Sequence, residues 1–173
     1  MSAGAGRTST AAWWGGKVRQ FWRHVTGRVT AAERAELVRW LTPEQLRLFD
    51  SMHPADRRHG LDVVATLRGA GHRDAELLLA GLFHDAAKGP GVKARHRVAW
   101  ALAERYRGPV KPVVVRLPGF ARAFDRIRRH PEASAELAVR AGCSERTADL
   151  IRHQATPVDP VHGEALRLAD EAS

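Results

Sequence analysis

The stretch from Leu77 to Lys88 reads LLLAGLFHDAAK, and this segment decides which fold we predict for the chain. Everything before His84 in this stretch is apolar or small, a pattern typical of a helix buried in a core. We therefore predict a central helix from about Asp74 to Lys88. A buried carboxylate costs several kcal/mol unless it is paired or coordinates a metal, so the adjacent His84 and Asp85 indicate a bound cation.

Start and stop signals for other helices occur on both sides of this stretch. Thr30 is positioned to cap a helix that runs through Leu41. Thr42 and Pro43 begin the next helix, with the cap, the proline and the acidic first turn in the expected order. Apolar periodicity and capping residues predict further helices over about 56–69, 94–106, 120–129, 131–141, 144–153 and from 161 to the end.

Residues 108–119 are the β-like part of the chain, with three prolines and the run Val113–Val115. One short strand without a partner cannot form a sheet, so we predict a loop or a buried crossover there. The fold class that follows is an all-α helical bundle with a metal site in its core.

Length and composition indicate one domain with additional N-terminal helices. A chain of 173 residues, 44% of them hydrophobic, can form one sizeable core but not two. Residues 1–12 are rich in Gly, Ala, Ser and Thr, and we expect them to be disordered. Residues 13–55 are predicted to form helices that pack on the core, and residues 56–173 the main domain.

The formal net charge of +9 favours an anionic partner, and the distribution of the charge indicates which kind. Basic residues are nearly all arginine and are spread along the whole chain, with tight clusters at Arg57-Arg58 and from Arg126 to Arg129. Both clusters lie beside candidate metal ligands. A small phosphorylated substrate or nucleotide therefore explains the charge at least as well as nucleic acid does.

The one cysteine, Cys143, excludes an intramolecular disulfide and a multi-cysteine zinc site, so a metal must be held by histidine and carboxylate. We interpret Cys143 as a small residue filling a helix junction. The chain has no run of about 18 uncharged apolar residues and no secretory signal pattern. We therefore expect a cytoplasmic protein without a transmembrane segment.

Candidate ligands recur at other predicted helices, each a turn or so from a helix end and in an apolar context. His59 lies one helix before the central stretch, His130 and His153 lie on later helices, and Asp170 lies on the last. The chain thus carries, in order, a histidine, a His-Asp pair followed by a lysine, two separate histidines and an aspartate.

This order strongly resembles that of the HD-domain metal-dependent phosphohydrolases, over about residues 41–170. The resemblance implies the helical bundle of that family and a primary metal site held by His59, His84, Asp85 and Asp170. It further implies that His130 and His153 hold a second ion, with Asp85 as the bridge between the two.

The resemblance also implies catalytic roles. Lys88 matches the lysine that contacts phosphate in the family, and Arg58 is a candidate for a further phosphate contact. Together with Asp85 they are the predicted catalytic residues.

The expected chemistry follows from the ligand types. Imidazole and carboxylate ligands together suit Mn, Fe, Zn, Co or Ni better than Mg or Ca, which prefer oxygen alone. Water bound to such an ion becomes a usable nucleophile near neutral pH, and nearby cations neutralise charge on a phosphoryl group. The sequence thus predicts hydrolysis of a phosphomonoester or phosphodiester, with one or two divalent transition-metal ions.

Two other functions are compatible with the sequence. A non-catalytic module with the same helical scaffold could bind a nucleotide or a protein partner, although such a module has no chemical need for a full ligand set. The net charge, taken alone, favours a nucleic-acid-binding protein. Metal analysis of the purified protein separates the first of these from the enzyme.

Overall fold

A computed structural model describes residues 28–89 and 120–173 of the chain. These ranges contain helices and no strand, which confirms the predicted all-α class for the described part. The predicted N-terminal disorder, the helix over 94–106 and the loop over 108–119 lie outside the described residues. The helices are α1 (Ala31–Val38), α2 (Pro43–Ser51), α3 (Pro54–Gly69), α4 (Ala75–Phe83), α5 (Phe120–Arg140), α6 (Glu145–Arg152) and α7 (His162–Ala172).

Helix α4 lies at the centre of the described bundle, where it contacts α3, α5, α6 and α7. Its Leu77, Leu82 and Phe83 side chains are fully buried, as the apolar composition of the segment predicts. The same core includes Leu37 and Phe49, so α1 and α2 share apolar packing with the helices that follow them.

Polar caps mark the helix starts that the sequence predicts. Thr30 and Thr42 each form a capping box, with Glu33 and Gln45 respectively, and Ser144 caps α6 through the backbone N–H of Thr147. Helix α1 ends at Val38, earlier than the predicted Leu41.

The predicted extension of the central helix to Lys88 is wrong, because α4 ends at Phe83. The chain then forms tight turns, in which the N–H of Ala86 donates to the Phe83 carbonyl and the N–H of Lys88 donates to the Asp85 carbonyl. Gly89, with φ of 60°, follows the turn. His84 and Asp85 therefore lie where an apolar helix becomes a turn, with their side chains still inside the protein.

The predicted break between two helices at His130 is also wrong, because α5 continues through Pro131. Proline has no N–H, so the carbonyl of Ile127, four residues earlier, loses its helical donor. The Nδ1 atom of His130 hydrogen-bonds that carbonyl instead. The side chain of His130 thus satisfies the carbonyl that Pro131 leaves without a donor, and His130 lies within a continuous helix.

Gly60 allows α3 and α4 to approach closely beside the candidate site. A Cβ atom built at this position would lie 2.4 Å from the backbone carbonyl oxygen of Leu82. A backbone atom cannot rotate away, so any side chain here forces the helices apart. Because His59 and His84 lie next to this crossing, the distance between their rings depends on Gly60.

Within the described ranges, no helix combines the length and apolarity that crossing a membrane requires.

We expect Gly60→Ala to lower the free energy of unfolding by about 1–3 kcal/mol, the usual cost of overpacking a well-packed contact. Gly69→Ala is the matched control, since it lies at the end of the same helix and a Cβ there meets nothing within 4 Å. Urea denaturation followed by circular dichroism measures both changes. Equal stability of the two variants would contradict the proposed close approach.

Candidate metal centre

Three helices bring two buried histidines and a partly exposed aspartate together. His59 lies on α3, His84 directly follows α4, and Asp170 lies on α7. One ligand atom from each lies within 4.8 Å of the other two. His59 Nε2 is 2.7 Å and His84 Nε2 is 3.4 Å from Oδ1 of Asp170. A single carboxylate oxygen therefore faces two imidazole nitrogens.

The end of α7 is anchored to α3 next to this group. The Ser173 hydroxyl hydrogen-bonds the carbonyl of Ala169 at 2.7 Å and pairs with the Thr66 hydroxyl at 2.9 Å. These contacts hold the last turn of α7, and with it Asp170, against the helix that carries His59.

Asp85 adds a second carboxylate on the inner side of the group. Its Oδ1 lies 3.6 Å from Nε2 of His84 and 3.3 Å from Nε2 of His130, while its Oδ2 lies 2.5 Å from Nζ of Lys88. Only 1% of the Asp85 side chain is exposed, against 19% for Lys88. The carboxylate is thus almost fully removed from water, and the ammonium group reaches it from the rim.

Backbone carbonyls orient two of the imidazole rings. Nδ1 of His84 lies 2.9 Å from the Gly81 carbonyl, and Nδ1 of His130 contacts the Ile127 carbonyl. A carbonyl only accepts, so each Nδ1 must be the protonated nitrogen. In the neutral ring Nε2 then carries the lone pair, and both Nε2 atoms face Asp85. This backbone support is the arrangement that metal-ligating histidines usually have.

Two buried atoms of the group have no hydrogen-bond partner within the described structure: Nε2 of His84 and Oδ1 of Asp85. Buried polar atoms without a partner are rare because each one costs free energy. A cation between these atoms would satisfy both, since imidazole nitrogen and carboxylate oxygen are both metal ligands. The residues present therefore fit a divalent metal ion, and this orphaned pair is the observation that indicates one.

The carboxylates strongly perturb the titration of His84. Burial lowers the pKa of His84, but Asp85 and Asp170 outweigh this effect and raise it to about 9. Burial alone would raise the pKa of Asp85, whereas Lys88 and His84 hold it well below its ordinary value. His84 and His59 likewise hold the pKa of Asp170 well below its ordinary value, against the effect of burial. Without a metal, protonated His84 partly neutralises two ionised carboxylates.

Two predicted site residues do not join this group. His153 follows α6, and its side chain is exposed. Arg58 pairs with Glu33 at 2.6 Å and with Asp62 at 3.0 Å. The structure therefore does not place His153 with the other candidate ligands, and two carboxylates already engage the guanidinium of Arg58.

Sequence reasoning missed two side chains that hold the turn after α4. The Gln154 amide donates to the carbonyl of His84 at 3.2 Å, and the Ser134 hydroxyl accepts from the N–H of Ala87 at 3.0 Å. Both side chains are buried. A signal existed for Gln154, because it lies three residues after the buried Ile151 and four residues after the buried Leu150, a spacing that places all three on one helix face.

The interpretation of Cys143 agrees with the structure. Its thiol is buried at the junction before α6, and burial raises its pKa to about 11. Such a thiol stays protonated at neutral pH and is not a nucleophile there.

Comparison with known proteins gave no significant match to any family model, to any curated protein or to any solved structure.

We predict that the metal-free protein loses stability as the pH rises from about 6.5 to about 9. A histidine whose folded pKa is raised from 6.5 to about 9 stabilises the fold fully below pH 6.5, and this contribution disappears as pH passes the folded value. The lowered pKa values of Asp85 and Asp170 act in the opposite range, and their contribution disappears as pH falls below about 3.8.

Thermal denaturation after treatment with a chelator measures this dependence. The melting temperature should be highest between these two limits and should fall towards pH 9. His84→Gln, which cannot titrate, should remove the alkaline decline. A decline that persists in this variant would assign it to another group.

Proposed function

We propose that this protein is a metal-dependent phosphohydrolase of the HD type, in which one divalent transition-metal ion is held by His59, His84, Asp85 and Asp170. The buried and unpartnered pair, Nε2 of His84 and Oδ1 of Asp85, is the observation that supports this proposal most strongly. The order of these ligands along the chain, shared with that family, supports it independently.

The donor set suits Mn, Fe, Zn, Co or Ni, because two imidazole nitrogens accompany the carboxylates. His130 also directs Nε2 to Asp85, so Asp85 and His130 are the residues that would take part in holding a second ion. The number of metal equivalents per chain decides between one ion and two.

The ion, when bound, supplies the Lewis acidity that makes water a nucleophile near neutral pH. The residues around it have separate tasks. Asp85 stays ionised throughout the neutral range, so its carboxylate would serve as a ligand to the ion, while its Oδ2 pairs with Lys88. Lys88 lies at the partly exposed rim, where its ammonium group can neutralise charge that develops on a phosphoryl group. The buried His84 keeps one fixed orientation through Gly81.

The first test is metal content. We expect purified protein to contain at least about one equivalent of a transition metal and His84→Ala to lose it. His84→Ala should also lower the free energy of unfolding by about 1–3 kcal/mol, since buried partners remain unsatisfied. His153→Ala is the matched control, because this exposed histidine should leave metal content unchanged. Elemental analysis and thermal denaturation provide the measurements.

The second test is turnover. With added Mn or a similar ion, the parent should hydrolyse phosphoesters from a panel of nucleotides and sugar phosphates, and a chelator should abolish the activity. Lys88→Ala should lower kcat by about 100-fold or more while metal content stays the same, because its ammonium stabilises charge and is not a ligand.

Lys88→Arg is the control in this series, since it keeps a positive charge and should retain more activity than Lys88→Ala. Metal-loaded protein that leaves every substrate of the panel intact would contradict the proposal. The non-catalytic nucleotide-binding module would then be the better interpretation.

A further inference from the structure

Three residues on one face of α5 lie beside the turn that follows α4. Ser134, His130 and Arg126 are spaced four residues apart, so they lie in a row along the helix. The Ser134 hydroxyl accepts from the N–H of Ala87, and His130 Nε2 lies 3.3 Å from Asp85. Nη1 of Arg126 would lie 3.7 Å from a Cβ atom built on Gly89. Arg126 thus lies beside the residue that follows Lys88.

Exposure increases outward along this row. Ser134 is fully buried, the His130 side chain is 11% exposed, and Arg126 is exposed. One helical turn separates His130 from Arg126, a rise of about 6 Å. Arg126 therefore lies at the outer rim of the metal centre, on the same side as Lys88.

The neighbouring arginines of α5 are engaged differently. Arg128 and Arg129 both pair with Asp125, at 2.8 and 3.0 Å. Among the described residues no carboxylate pairs with Arg126. Of these three guanidinium groups, Arg126 is therefore the one that has no carboxylate partner among the described residues, and it lies beside the site.

The charges of the site indicate which anion fits. One divalent ion balances the two carboxylates, Asp85 and Asp170, and ligating imidazoles are neutral. Lys88 and Arg126 then leave two positive charges at the rim. A phosphomonoester carries about two negative charges at neutral pH, whereas a phosphodiester carries one. The charge balance favours the monoester.

We infer that Arg126 binds a phosphoryl oxygen of the substrate and that the site is selective for the dianionic phosphate of a monoester. This inference rests on the proposed function. The planar guanidinium fork matches two phosphate oxygens at once, which a lysine ammonium cannot do. Arg126 acts as a specificity residue, so its loss should raise KM for monoesters more than it lowers kcat.

Binding of inorganic phosphate to the metal-loaded protein, measured by isothermal titration calorimetry, tests this inference. Arg126→Ala should weaken phosphate binding by about tenfold or more, the loss expected for one charged hydrogen-bonded contact. Arg128→Ala is the matched control, because it removes the same charge from the same helix at a position paired with Asp125. It should bind phosphate as the parent does. Dimethyl phosphate, a singly charged diester, should bind the parent more weakly than phosphate.

Three results would overturn the inference: equal phosphate affinity of Arg126→Ala and the parent, an equal loss in Arg128→Ala, or dimethyl phosphate binding as tightly as phosphate. A parent that holds metal but binds no phosphate would overturn it as well, while the metal centre remains. A parent without metal contradicts the proposed function instead. The effect of Arg126→Ala on phosphate binding is then measured on the metal-free protein, where equal affinities again reject the inference.

Discussion

The carboxylate of Asp85 is the constraint on which the described structure depends. It lies at the end of an apolar helix, with 1% of its side chain exposed, and a charge in that position must be compensated. Lys88 compensates one oxygen from the rim, and His84 and His130 direct Nε2 atoms towards the other. The buried Nε2 of His84 and Oδ1 of Asp85 lack hydrogen-bond partners in the described structure, and a cation between them would satisfy both.

Backbone features hold these side chains in place. Gly60 allows α3 and α4 to lie close enough for the rings of His59 and His84 to be 5.1 Å apart. Pro131 leaves the carbonyl of Ile127 without a helical donor, and this carbonyl orients the ring of His130. Proline usually interrupts a helix, but here it helps to fix the orientation of a candidate ligand. Gln154 holds the carbonyl of His84 from the far side of the turn. Within the described residues, these contacts fix the orientation of the candidate ligands.

Charge differs between the inner and the outer part of the site. The carboxylate of Asp85 is buried, with 1% of its side chain exposed, whereas the side chain of Asp170 is 40% exposed. The side chain of Lys88 is 19% exposed, and Arg126 is exposed. Cationic groups therefore lie at the rim together with the carboxylate of Asp170, so part of the net charge of +9 is located beside the site.

Much of the fold and of the site could be predicted from the sequence, because it depends on local chemistry. The chain itself shows helix caps such as Thr42 and the apolar run before His84. It also shows His59, Asp85 and Asp170 in one ordered pattern. The orientation of side chains depends on contacts between distant residues. Tertiary structure decided that Gln154 rather than His153 faces inward and that carboxylates on α1 and α3 engage Arg58. Helix α5 continues through Pro131 for the same reason. The hydrogen bond from His130 to the Ile127 carbonyl and the packing of α5 against α4 exist only in the folded chain.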